Sequence, residues 1–169
     1  MPMRRAGLVL VVAALAAVVL VWARSGDDRP GPSSLAIMGT VRRVVDGDTI
    51  RVRIDGADER VRYIGVDTPE SVRPDTPVQC YADAARTFNA RLVAGRRVRL
   101  VTDVEPRDRY GRLLAYVYRE PDGLLVNAEL VRRGYARTLT VPPNVRYRSR
   151  LADLAQAARR ARVGLWSSC

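Results

Sequence analysis

The 169-residue chain contains no histidine and no lysine, and these two absences exclude several kinds of chemistry. Without histidine there is no Ser-His-Asp triad, no imidazole acid or base and no histidine-ligated zinc. Without lysine there is no Schiff-base chemistry and no P-loop lysine. A catalytic site in this chain is therefore limited to carboxylates, arginine, tyrosine, hydroxyl side chains, backbone groups and a metal ion where one binds.

Cysteine is also scarce, since the chain has only Cys80 and Cys169. Their number and spacing match no metal site. Two separate buried thiols are one interpretation of the pair. In an exported chain an even pair indicates instead one disulfide, which would tie the C-terminus to the body of the domain. We predict the disulfide.

Acidic residues are outnumbered, and the net charge is +11. All 29 basic residues are arginine, and most of the surplus lies after Leu35. Such a surplus favours a polyanionic partner, either nucleic acid or anionic lipid. A bias towards arginine codons is the alternative explanation. The length suits one domain, and the apolar share of 47% is enough for a core.

An uncharged run from Ala6 to Ala23 follows Arg4 and Arg5. It is long enough for one membrane span and also resembles a signal-peptide core. The two arginines predict that the N-terminus stays inside and the rest crosses the membrane. Cleavage near Ala23 would release a secreted protein, whereas an uncleaved segment would anchor the chain in the membrane. We leave both open and expect the folded part to lie outside the cell.

The segment RSGDDRPGPSS after this run is polar and rich in proline, glycine and serine, which is typical of a flexible linker. We therefore expect three parts. They are a signal peptide or transmembrane signal anchor (1–24), a linker (25–35) and one folded domain (36–169).

The folded part begins with alternating apolar and polar residues, which predict three strands with a turn at Asp55–Glu59. A helix over 78–95, two further strands and two further helices over 125–134 and 146–164 follow, and Gly95, Gly134 and Gly164 end the three helices. The order indicates an α+β domain. Its five strands are enough to close a small β-barrel, packed with three α-helices and preceded by the N-terminal hydrophobic helix.

Two acidic motifs flank the second and third predicted strands. If these strands pair, Asp48 at the start of one and Asp67 at the end of the other lie side by side. Two adjacent carboxylates favour a hard cation between them, Ca²⁺ or Mg²⁺. Pro69 makes Thr68 extended, so the carbonyl of Thr68 can face the same ion. Glu70 can then orient or deprotonate a water molecule.

Two arginines complete this pattern. Arg62 belongs to the same strand as Asp67, and Arg112 follows the glycine turn of DRYGRLLAY. Their forked guanidinium groups suit phosphate oxygens. With a cation and a carboxylate base, they suit phosphodiester hydrolysis. Each motif alone also fits a turn, a helix cap or a surface ion pair, and only their joint order favours a site.

Five motifs in order carry a family resemblance: VVDGDTI, VRYIGVDTPE, DRYGRLLAYVY, VNAELVRRGYA and GLWS. From Gly39 to Ser167 the chain resembles the staphylococcal nuclease family. The resemblance implies a five-stranded oligonucleotide-binding-type (OB-fold) barrel with three helices. It also implies Ca²⁺-dependent cleavage of DNA and RNA that leaves 3′-phosphate ends.

The resemblance also implies a role for each matching residue. These are Ca²⁺ ligation by Asp48, Asp67 and the Thr68 carbonyl, an outer-shell place for Asp46, a general base in Glu70, transition-state stabilisation by Arg62 and Arg112, and a nucleotide-pocket wall in Tyr110. The loop TLTVPPNVRY departs from the family, because it lacks the tyrosines that often lie there. This departure weakens any prediction of base stacking.

Two other functions fit the same composition. One is a catalytically silent nucleic-acid-binding module tethered to the membrane, which would have no physical reason to keep the acids and arginines together. The other is a tethered scaffold that binds anionic lipid or polymer through its basic face. We expect a monomer that acts on DNA and RNA and contacts the membrane through the N-terminal segment where that segment is uncleaved.

Overall fold

The computed structural model describes residues 35–70 and 77–169. The predicted signal or anchor segment and the linker up to Ser34 lie outside the described residues, as do residues 71–76. No helix within the described part is long and apolar enough to span a bilayer.

Five strands form the closed barrel that the sequence predicts, and three two-residue strands accompany them. Neighbouring strands pair in the order β3-β2-β1-β5-β6, and parallel pairing of β3 with β6 closes the barrel. β7 pairs with β6 in antiparallel fashion, and so does β4 with β8. The strands are β1 (Ala36–Asp46), β2 (Thr49–Ile54), β3 (Ala57–Tyr63), β4 (Val66–Asp67), β5 (Arg97–Val101), β6 (Leu113–Arg119), β7 (Leu124–Leu125) and β8 (Arg137–Thr138).

Alternation along the strands separates an inner from an outer face. Ile50 and Val52 of β2 point inwards and are fully buried, as is Val61 of β3. The residues between them, such as Arg51 and Arg60, are exposed. Burial of a valine- or isoleucine-sized side chain contributes about 1.5–3 kcal/mol. The inner face therefore holds the barrel together and leaves the outer face for chemistry.

The turn between β2 and β3 is tighter than the predicted Asp55–Glu59. Only Asp55 and Gly56 form it, with φ angles of 46° and 85°, because two positive φ angles match the right-handed twist of the flanking strands. Ile54 pairs directly with Ala57. Three residues assigned to the turn therefore belong to β3.

Among the described residues the three predicted helices are present, and a fourth, short helix was missed. They are α1 (Ala82–Val93), α2 (Val126–Arg132), α3 (Arg148–Arg160) and α4 (Leu165–Ser168). The prediction that α3 extends to Gly164 was wrong. Gly164 precedes α4, and its backbone touches that of Gly134, where a Cβ on Gly164 would lie 2.3 Å from the Gly134 oxygen. A close crossing of two chain segments requires glycine there.

The predicted disulfide is present between Cys80 and Cys169, with 6.0 Å between their Cα atoms. Cys80 lies just before α1, and Cys169 is the last residue of the chain. The bond thus joins the C-terminus to the segment between β4 and α1.

Removal of this disulfide should lower the free energy of unfolding by about 2–4 kcal/mol, because 89 residues separate the two cysteines and the cross-link restricts the unfolded chain. Denaturant titration of the full-length C80S/C169S protein in non-ionic detergent measures this. The reduced wild-type protein should match the variant. Equal midpoints for the oxidised wild type and the variant would contradict the prediction.

Candidate active site

A small pocket of about 90 Å³ lies on the outer face of the barrel, where β2 begins and β3 leads into β4. We call it the acidic pocket. Seven of the residues predicted for the site line it, so the structure brings them together. They are Asp46, Asp48, Arg62, Asp67, Thr68, Glu70 and Arg112; Val45, Thr49 and Arg60 complete the lining.

Asp48 and Thr68 meet because β2 pairs with β3 from its first residue, with Thr49 opposite Arg62. The backbone amide and the hydroxyl of Thr68 each donate a hydrogen bond of 2.9 Å to Asp48 Oδ2. A Cβ on Gly47 would lie within 2.8 Å of the Thr68 side chain. The glycine between the two aspartates is therefore needed for this approach.

Arg62 lies between the carboxylates of Asp48 and Asp67. Its Nη2 is 3.2 Å from Asp48 Oδ2 and 3.0 Å from Asp67 Oδ1. Its Nη1 donates to the carbonyl oxygens of Tyr63 at 2.9 Å and Val66 at 2.7 Å. These four acceptors fix the guanidinium group. Only a planar, forked donor can bond to all four of them at once.

The pKa of Asp67 is raised above its ordinary value. Partial burial against the pocket is the largest cause, although 55% of the side chain is exposed. The charges of Asp48 and Asp46 also raise the pKa, while Arg62 and Arg137 lower it. Partial burial therefore disfavours the charged form of Asp67, and a bound cation would offset that effect.

Glu70 is half-buried on the rim of the acidic pocket. Its backbone is held on both sides by Gln79, because the Glu70 amide donates to Gln79 Oε1 at 3.0 Å and the Gln79 amide donates to the Glu70 carbonyl at 3.1 Å. These bonds place the carboxylate where β4 ends, beside Thr68. No motif or periodicity in the sequence indicates this role of Gln79.

Arg112 is held by Asp108, a residue that the sequence reasoning missed. Arg112 Nε lies 2.6 Å from Asp108 Oδ2, and the Arg112 amide donates to Oδ1 at 3.0 Å. Burial acts to raise the pKa of Asp108, but the hydrogen bonds from Arg112 outweigh it and the pKa is lowered. The available signal was an acid four residues before the arginine across the turn at Gly111.

An Asp108→Asn change should lower kcat/KM about tenfold, since a hydrogen bond to a charged group contributes about 1.5–3 kcal/mol and its loss lets Arg112 leave its place. Asp122→Asn is the matched control, because Asp122 pairs with Arg119 at the β6–β7 turn, outside the lining of both pockets described here. Steady-state kinetics on single-stranded DNA would compare the two. Equal losses in both variants would remove Asp108 from the site.

A larger pocket of about 400 Å³ adjoins the acidic pocket and shares Arg62 and Arg112 with it. Tyr110, which is 68% exposed, is one of its lining residues. Leu139 and Val141 line it in place of aromatic rings. Tyr147, the next tyrosine of that loop, is buried instead, with its hydroxyl 2.7 Å from that of Tyr118.

No three histidine, cysteine, aspartate or glutamate side chains within residues 35–70 and 77–169 are grouped closely enough to hold a metal by themselves. The available donors are the carboxylates of Asp48 and Asp67, backbone oxygen at Thr68, and water. All are hard oxygen ligands, which suit Ca²⁺ or Mg²⁺. This donor set fits a divalent cation.

Comparison with known proteins agrees with the geometry. The sequence profile of the family described as "Staphylococcal nuclease homologue" matches residues 60–168. The chain is 43% identical to a thermonuclease of Staphylococcus intermedius over 161 residues, 93% of this chain and 95% of that protein. It is 39% identical to a thermonuclease of Staphylococcus hyicus over 165 residues, 96% of each chain.

A third relative, endonuclease YncB of Bacillus subtilis (strain 168), is 41% identical over 130 residues, which cover 76% of this chain and 61% of that protein. The matched profile spans more than half of the chain, and the barrel and the helices agree with it. This chain therefore belongs to the staphylococcal nuclease family.

Proposed function

We propose that this protein is a Ca²⁺-dependent endonuclease that hydrolyses phosphodiester bonds of DNA and RNA and leaves 3′-phosphate ends. That the chain is a nuclease, and so an enzyme acting on nucleic acid, follows from its family and from the relatives named above. The identity of the ion, the products and the residue roles are our proposal.

The convergence of two opposite sets of charges in one pocket supports the proposal most strongly. Asp48, Asp67, Glu70 and Arg112 all line this pocket, and Arg62 contacts the carboxylates of both Asp48 and Asp67. Asp48 and Asp67, with the Thr68 carbonyl, would hold the ion, and Asp46 would lie in its outer shell. Bound Ca²⁺ would supply positive charge for the scissile phosphate.

The side chains of the pocket divide the remaining work. Glu70 accepts a proton from the attacking water, whose oxygen forms a bond to phosphorus as the bond to the 5′-oxygen breaks. The departing 5′-oxygen takes a proton from solvent water and leaves as a hydroxyl. Arg62 and Arg112 stabilise the charge that develops on the phosphate oxygens. The adjoining pocket with Tyr110 receives the nucleoside next to the cleaved bond.

The test uses the full-length protein in non-ionic detergent. We expect it to digest single-stranded DNA and RNA with Ca²⁺ and to stop with a chelator. From an oligonucleotide of defined sequence, the 5′-terminal fragment should have a mass that includes a 3′-phosphate. Digestion that needs Mg²⁺ instead would overturn the choice of ion. Binding without cleavage under any divalent cation would favour the silent binding module.

We also propose that the folded domain acts outside the cell, secreted or anchored by residues 1–24. The disulfide supports this, because such bonds persist mainly in oxidising compartments. The mass of the protein isolated from its cells distinguishes cleavage near Ala23 from anchoring. A full-length mass in the cytosolic fraction would contradict export.

A further inference from the structure

Three arginines lie side by side on the outer face of the barrel, across strands β1, β2 and β3. Arg43 is the direct partner of Arg51, and Arg51 is the direct partner of Arg60. All three are exposed. We call them the arginine row.

Like charges placed directly opposite on neighbouring strands destabilise a sheet. A register shift between Val41 and Arg43 marks a β-bulge, which sets two residues of β1 against one of β2 and so adds Arg42 to the same place. None of the three arginines of the row forms an ion pair with a carboxylate among the described residues. The row therefore keeps its full positive charge.

The neighbouring position along the same strands is different. Arg53 is paired with Asp58, with 2.8 Å between Arg53 Nε and Asp58 Oδ1. On this outer face Arg53 therefore has an acidic partner directly across the sheet, whereas the arginines of the row have no such partner among the described residues. A surplus of arginine alone does not explain this contrast.

The arginine row continues directly from the acidic pocket. Thr49 and Arg62 form the preceding cross-strand pair on the same face, two residues or about 7 Å away along the strands. Arg60 belongs to both, since it also lines the acidic pocket. A nucleic-acid strand that leaves the acidic pocket in this direction reaches the arginine row within one or two phosphate spacings.

We propose that the arginine row binds the sugar–phosphate backbone of a single-stranded substrate beyond the cleaved bond. This inference rests on the proposed nuclease function. The row spans three strands, about 10 Å, and offers forked donors without any base-reading group. It should therefore add affinity for long substrates regardless of sequence. An anionic membrane surface is the competing partner, and the test below separates the two.

The test compares R43Q/R51Q with R91Q/R160Q, both full-length in non-ionic detergent. Arg60 is left intact because it lines the acidic pocket. Arg91 and Arg160 are exposed on α1 and α3 and make no ion pair within the described part of the chain, so both variants lose the same charge. Binding of a labelled oligothymidylate is measured with a chelator present, across a range of salt concentrations.

We expect R43Q/R51Q to reduce the slope of log affinity against log salt by about 1.4, since each phosphate contact on a single strand contributes about 0.7. R91Q/R160Q should keep the wild-type slope. In cleavage, the ratio of kcat/KM for a long strand to kcat/KM for a dinucleotide should fall in R43Q/R51Q only.

Equal slopes in the two variants would overturn the proposal. So would a larger loss of binding by R43Q/R51Q to anionic phospholipid in mixed micelles with the detergent than to the oligothymidylate. The binding measurement does not depend on cleavage. Wild-type protein that binds through the row yet cuts nothing would refute the proposed function while leaving this inference standing. If the wild type cleaves and R43Q/R51Q keeps the wild-type salt slope, this inference is refuted while the proposed function stands.

Discussion

A Glu70→Gln protein should cleave single-stranded DNA about 10²–10⁴ times more slowly than the wild type, because that is the usual contribution of a positioned general base. Glutamine keeps the size of the side chain and cannot accept the proton. The backbone bonds to Gln79 do not involve the carboxylate, so the fold should be unchanged. The fall should appear in kcat, with little change in the affinity for DNA.

Single-turnover kinetics measures this directly, since it separates cleavage from product release. Glu120→Gln is the control, because Glu120 pairs with Arg99 and lines neither the acidic pocket nor the adjoining one. An E70Q rate close to that of E120Q would remove Glu70 from the base role and assign proton transfer to another group.

An Arg62→Lys protein should lose about 10²–10³ in kcat, a typical effect of removing one donor to a developing charge. Lysine keeps the positive charge but cannot reach two carboxylates and two carbonyls at once. The loss therefore tests geometry rather than charge. A purely electrostatic role would leave most of the rate in place.

Arg119→Lys is the matched control for this prediction, since Arg119 also makes two bonds to a single acid, Asp122. We expect it to retain the wild-type rate. Because Arg62 also links β3 to β4, circular dichroism should show that R62K is folded at the assay temperature. A folded R62K with nearly full activity would contradict the role given to Arg62.

The sequence predicted the barrel and the meeting of Asp48 with Asp67 for the same physical reason. Alternation identifies β2 and β3, and pairing across a short turn brings their distant ends together. Side-chain chemistry then suggests a cation between the acids. These conclusions depend on local pattern and on one antiparallel pairing, which a sequence displays directly.

Other features depend on contacts that a pattern does not display. The approach of Gly134 to Gly164 joins distant parts of the chain, and so α3 was predicted too long. The bulge at Arg42 shifts the register of β1 by one residue, and only the shifted register aligns Arg43 with Arg51. Asp108 holds Arg112 from within an irregular loop, where no periodicity identifies a partner.

Calcium titration by calorimetry tests most directly the idea that Asp48 and Asp67 hold one cation beside Glu70 and the two arginines. We expect the wild type to bind one Ca²⁺ per chain and Asp67→Asn, at an exposed position, to stay folded and lose that binding. Unchanged binding in D67N, or no binding in the wild type while Ca²⁺ still supports cleavage, would contradict the account.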